Sequence, residues 1–149
     1  MSGVTTTLSD GFDDYNLEDY WKAVRVPPAL KTFRGYRDSA NHAVVVVSSA
    51  GARSKKLPLY LRVLNHSPSG FEWGYSGSGP AQLALAILLN SFPEESKDWA
   101  IRLHQFFKAR IVASLPRTGW TLTSDEIKKA VDAIVKERLG GVPSARFGE

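Results

Sequence analysis

The chain has 149 residues, 43% of them apolar and 23% charged, the balance of a folding chain with a genuine core. It contains no cysteine, which excludes disulfides and thiolate chemistry. Its net charge of +4 is uneven: the first twenty residues hold Asp10, Asp13, Asp14, Glu18 and Asp19 and no Lys or Arg, so they carry −5 and the remainder +9.

A basic body suits an anionic partner, and an acidic arm beside it can also be plain solvated surface. The opening residues lack the basic start and apolar run of a secretory leader. No apolar run reaches membrane-spanning length. The expectation is a cytoplasmic protein with no membrane partner, divided into an acidic arm over residues 1–30, one domain over 31–141 and a tail over 142–149.

In the arm, Leu17, Tyr20, Trp21 and Val24 recur at helical spacing. This predicts a short helix between Asp13 and Val24, docked on the body or offered to a partner, and ended by Pro27 and Pro28. A strand follows over Thr32 to Arg37, broken by Gly35, and then a turn over Asp38 to Asn41. The run Val44-Val45-Val46-Val47 within His42 to Ser48 reads as a strand buried on both faces. Arg53, Lys55 and Lys56 cluster in the loop after it. Leu57 to Leu64 alternates as a strand entered through Pro58. Asn65 to Gly70 reads as a turn.

Phe71, Trp73 and Tyr75 then stand two apart, the spacing of one strand face. Ser76-Gly77-Ser78-Gly79-Pro80 follows, with Ser78 or Gly79 as helix cap, Pro80 as first helical residue, and a positive φ expected at Gly77 or Gly79. From Ala81 to Leu89 only Gln82 is polar, so the helix is expected to be buried all round. A second helix begins at Pro93 or Glu94, with Trp99, Leu103, Phe106, Phe107 and Ile111 as its apolar stripe. Thr123 and Glu126 form a capping box for a third, lined by Ile127, Val131, Ile134 and Val135 and closed by Gly140-Gly141. Strands first and helices after predict an α+β fold: a small antiparallel sheet, a buried central helix and two further helices.

The glycine turn carries the chemistry most open to interpretation. Unpaired amides at a helix start can cradle a phosphate, and Ser76 and Ser78 add hydroxyls. The Lys-Ser/Thr ending of a phosphate loop is missing, and the spacing is not that of a dinucleotide fingerprint. A tight structural connection explains the same residues. Trp73 and Tyr75 either stack a ligand or belong to the core. Arg62 is expected to face Glu72 across neighbouring strands. His66 beside Ser67 is either an anion ligand or general base, or a turn cap. The three histidines have no metal-ligand spacing. The anion-binding set is therefore Arg62, His66, Trp73, Tyr75, Ser76, Gly77, Ser78 and Gly79, with no cofactor and no catalytic residue. Arg53, Lys55 and Lys56 form an alternative nucleic-acid contact.

The stretch from Asn65 to Leu85, with Phe106-Phe107-Lys108 and Gly119-Trp120-Thr121-Leu122-Thr123, resembles a small bacterial, plasmid and phage family catalogued as domain of unknown function 6166. The resemblance spans roughly Thr32 to Val135. It implies no activity and points to a mobile-element origin. The reading that results is a non-catalytic binding protein for an anionic small molecule or a host protein.

Overall fold

The computed structural model describes residues 18–20 and 30–138. Four strands form one antiparallel sheet: β1 (Lys31–Arg37), β2 (Ala43–Ser49), β3 (Lys55–Lys56) and β4 (Gly119–Thr123), in the order β3-β2-β1-β4. Among the described residues, three helices of 14 or 15 residues pack beside it: α1 (Ser78–Ser91), α2 (Lys97–Arg110) and α3 (Ser124–Arg138). The fold is α+β, as the sequence predicts.

The sheet's inner face is set by register. Phe33 lies between Val47 and Leu122, and Gly35 between Val45 and Trp120. Gly35 does not break β1. It makes room for the Trp120 indole, which occupies the space where a Cβ would stand. Trp120 in turn meets Trp73 edge-on at 5.6 Å. The valine run is not buried on both faces. Val45 alone is fully buried, and Val44 and Val46 stay half-buried on the outer face, outside the core cluster. Gly119–Thr123, which reads in the sequence as a lead-in to the capping box, is the strand β4; it returns to β1 after two helices, so the order is not strands first and helices after.

α1 is the buried centre: every residue from Gly79 to Leu88 is buried. Gln82 is fully enclosed, and all four of its hydrogen-bonding positions are used. Its Oε1 accepts from the amides of His66 at 2.7 Å and Ser67 at 3.1 Å. Its Nε2 donates to the carbonyls of Leu59 at 2.6 Å and Leu64 at 3.0 Å. One side chain thus replaces the ladder partners that residues 59–67 would need, because these residues are not a strand. β3 stops at Lys56, Leu57 N donates to Val45 O at 3.0 Å, and Pro58 has no N–H to continue the ladder. Tyr60, at φ 58, turns the chain away.

The segment 71–75 is not a strand either. Gly74 at φ 87 interrupts it, and the Gly74 amide donates to Val112 O at 3.1 Å in a loop. Gly77, extended at φ −173, is the cap of α1, so Pro80 sits third in the helix rather than first. Neither Gly77 nor Gly79 has the expected positive φ.

α2 follows a 3-10 turn at Glu94–Ser96 and buries Trp99, Leu103 and Phe107. The α3 capping box forms as read: Thr123 N donates to Glu126 Oε1 at 2.9 Å and Glu126 N to Thr123 Oγ1 at 3.2 Å. Of the arm, helical Glu18–Tyr20 is described. Tyr20 is buried edge-on to Trp99 at 5.1 Å, and its hydroxyl donates to Asp132 at 2.7 Å. The rest of that helix, Trp21, Pro27-Pro28 and Gly140-Gly141 lie outside the described residues.

Candidate functional site

The aromatic segment and glycine turn are clamped from below. Trp73 is 0% exposed, and its indole N–H donates to Pro116 O at 2.9 Å and Arg117 O at 3.2 Å. The Arg37 guanidinium lies 4.4 Å from the Trp73 ring centre, and its two terminal nitrogens each donate to one Glu72 oxygen at 2.9 Å. Its Nε donates to Arg117 O at 3.1 Å. A planar fork on a planar carboxylate, stacked on an indole, is a geometry that lysine cannot reproduce. Hydrogen bonding from Arg37 holds the Glu72 carboxyl below the usual range, against the opposing effect of burial. The expected Arg62–Glu72 pair does not form: Glu72 takes Arg37, and Arg62 is exposed in the preceding loop.

The glycines here differ in purpose. At Gly74 a Cβ would lie 3.1 Å from Leu115 O and press on the Arg117 side chain, besides the positive φ. At Gly79 it would lie 2.8 Å from the Glu72 Cβ, so the first turn of α1 rests directly on the 71–75 segment. At Gly77 the obstacle is the Tyr75 ring, which can move.

Above this floor, Tyr75 is 42% exposed, with the Arg117 guanidinium 5.5 Å from its ring centre. Ser76, Ser78 and Arg117 are also exposed. No side chain caps α1. The amides of Ser78 and Gly79 have no partner inside the helix, Pro80 has none to give, and Ala81 N donates to Gly77 O at 3.0 Å. The structure therefore gathers Tyr75, Ser76, Gly77 and Ser78 on one rim and adds Arg117, which the sequence reading missed. Trp73 and Gly79 belong to the floor.

His66 is engaged elsewhere. Its Nε2 lies 2.9 Å from His104 Nε2, and Ser67 Oγ donates to Gly70 O at 2.8 Å. Base and hydroxyl do not meet. Among the described residues, no group of three His, Asp or Glu side chains is placed to hold a metal ion. No helix among them is long and apolar enough to cross a membrane.

Lys55 and Lys56 form the exposed edge strand β3, with exposed Arg53 in the loop before it. A cleft of about 410 Å³ opens at the far end of β1, between the β2–β3 loop and the start of α3. Lys31, on its wall, turns its ammonium to Asn90, donating to the backbone O at 2.7 Å and Oδ1 at 2.8 Å.

A family of unknown function, DUF6166, matches residues 33–133 of the chain. No curated protein and no solved structure matches it. The matched region runs from Phe33 in β1 into α3 and includes the whole clamp around the glycine turn. The chain belongs to this family.

Proposed function

We propose that this member of the DUF6166 family is a small non-catalytic binding protein whose contact surface is the rim of the glycine turn, and whose partner is a phosphate-bearing small molecule. The supporting observation is the contrast between floor and rim. Arg37, Glu72, Trp73 and Gly79 are locked together, while Tyr75, Ser76, Ser78 and Arg117 stand exposed beside the start of a buried helix. First-turn amides and hydroxyls donate to an anion, a guanidinium adds charge, and an exposed phenol ring offers a face to a nucleobase. A rigid floor lowers the ordering cost of binding.

The same tyrosine and arginine are the residue types that anchor protein interfaces. For a cytoplasmic protein of mobile-element origin, the corresponding partner is a host protein, such as a defence component. The mobile-element and cytoplasmic parts of this reading rest on the family resemblance and on the composition.

A thermal-shift screen of the full chain with nucleotides and inorganic phosphate tests the proposal. A ligand that binds the native state raises the melting temperature. A nucleotide is expected to do so, and Arg117→Ala and Ser78→Ala to abolish the shift with little change in the unliganded midpoint, since both side chains are exposed and neither caps α1. The absence of any shift across the screen would reject the small-molecule reading in favour of a protein partner.

A further inference from the structure

The outer face of the sheet is a second surface. Register places Lys56, Val46, Arg34 and Thr121 in one row across all four strands. In the next row Val44 and Tyr36 lie side by side, with Gly119 beyond them. Arg34, Lys56 and Thr121 are exposed, while Val44, Val46 and Tyr36 are half-buried. The Arg34 guanidinium sits 4.6 Å from the Tyr36 ring centre. None of the outward positions of the four strands is acidic. Exposed Arg53 and Lys55 adjoin the same edge.

We propose that this face binds single-stranded nucleic acid, with an unstacked base on the Arg34–Tyr36 pair, its neighbours over Val44 and Val46, and phosphates along Arg34 and Lys56. The charge fixes the sign of the partner. The ring and the half-buried valines fix its form. A duplex keeps its base faces stacked inside and presents phosphates, which would leave Tyr36, Val44 and Val46 without partners. A single strand offers phosphates and base faces together. Gly119, the β4 partner of Tyr36, adds no side chain beside the ring. This face does not depend on the glycine turn, and its occupant is a polymer rather than a mononucleotide.

The test is fluorescence anisotropy with the full chain, using a labelled oligothymidylate of about 15 nucleotides and a duplex of equal length, at about 50 and 200 mM salt. The single strand is expected to bind more tightly than the duplex and to weaken with salt. Tyr36→Ala is expected to weaken it about tenfold, and Tyr36→Phe to retain affinity because the ring remains. Lys56→Ala should reduce the slope of log affinity against log salt by about one. Equal binding of both forms with no effect of Tyr36→Ala overturns the proposal, leaving charge attraction alone. So does the absence of binding at low salt. Loss of binding in Tyr75→Ala but not in Tyr36→Ala also overturns it, and moves the oligonucleotide to the glycine turn. Conversely, nucleotide shifts lost in Arg117→Ala while oligonucleotide binding persists leave both surfaces standing.

Discussion

His66 and His104 meet Nε2 to Nε2 at 2.9 Å, and only one of the two nitrogens can carry a hydrogen there. His104 Nδ1 lies 2.6 Å from the Ile101 carbonyl, which only accepts, so Nδ1 bears the proton of the neutral ring. His104 Nε2 is therefore an acceptor and His66 Nε2–H the donor. A second proton on His104 would set two N–H groups head to head inside the protein.

Burial, opposed by the Ile101 hydrogen bond and reinforced by the charges of His66 and Lys108, lowers the His104 pKa. The unfolded chain then binds more protons than the folded one below the ordinary histidine value of about 6.5. Stability is full above that pH and falls as pH drops toward the folded pKa, at no more than about 1.4 kcal/mol per pH unit for one proton. Urea midpoints between pH 7.5 and 5 measure it. Glu72, held low by Arg37, stays ionised across this window. His104→Gln should lower the midpoint at pH 7.5 and flatten its decline. An unchanged slope would contradict the assignment.

Gln82 predicts a defect confined to one loop. Gln82→Leu fits the helix but strands two amides and two carbonyls between residues 59 and 67. Each buried unsatisfied group costs about 1–3 kcal/mol, so a loss of at least ~3 kcal/mol is expected. Hydrogen exchange distinguishes this from a cavity: the His66 and Ser67 amides should lose protection while the amides within α1 keep theirs. Leu85→Ala, fully buried in the same helix, should cost about 2–5 kcal/mol and weaken the whole domain instead.

The glycines give a sharper comparison. Gly74→Ala places a Cβ at positive φ and against Leu115 O, so it should cost about 1–3 kcal/mol. Gly77 has extended backbone, and an alanine there need only displace the Tyr75 ring. Its cost should stay under about 1 kcal/mol. Equal urea midpoints for the two variants would contradict this account.

The helices were legible because each carries its own signal: continuous apolarity in α1, the Trp99-Leu103-Phe107 stripe in α2, and the Thr123–Glu126 box in α3. β1 and β2 were legible because a short apolar-bearing segment and a valine run, separated by a turn signal, do find each other as ladder partners. Leu57–Leu64 and Phe71–Tyr75 have strand-like alternation, yet their hydrogen bonds go to Gln82 and to the Val112 loop. Sequence spacing does not reveal such distant side-chain partners. β4 was hidden because five residues between a turn and a capping box look like a lead-in. At the candidate site, Tyr75, Ser76 and Ser78 stand out in the sequence by local pattern. Arg37 and Arg117 do not, since they reach the turn from the end of β1 and from the turn before β4, 35 and 42 residues away in sequence, counted from Glu72 and Tyr75.

The acidic arm supplies the final prediction, and the position of Tyr20 decides how to make it. Removing residues 1–20 would delete a buried ring on Trp99 and a hydroxyl bonded to Asp132, mixing lost stability with changed charge. Removing residues 1–17 spares Tyr20, takes away Asp10, Asp13 and Asp14, and raises the net charge from +4 to +7. A more positive chain attracts an oligonucleotide more strongly, and added salt screens the difference. The shortened chain should therefore bind the single-stranded probe more tightly at about 50 mM salt, with the gain shrinking at about 200 mM. Tyr36→Ala in the shortened chain should still weaken binding, because stacking does not depend on the arm. Unchanged affinity at low salt would mean that the arm's carboxylates do not act on the outer face. A gain that survives high salt would indicate that the arm excludes the probe by contact rather than by charge.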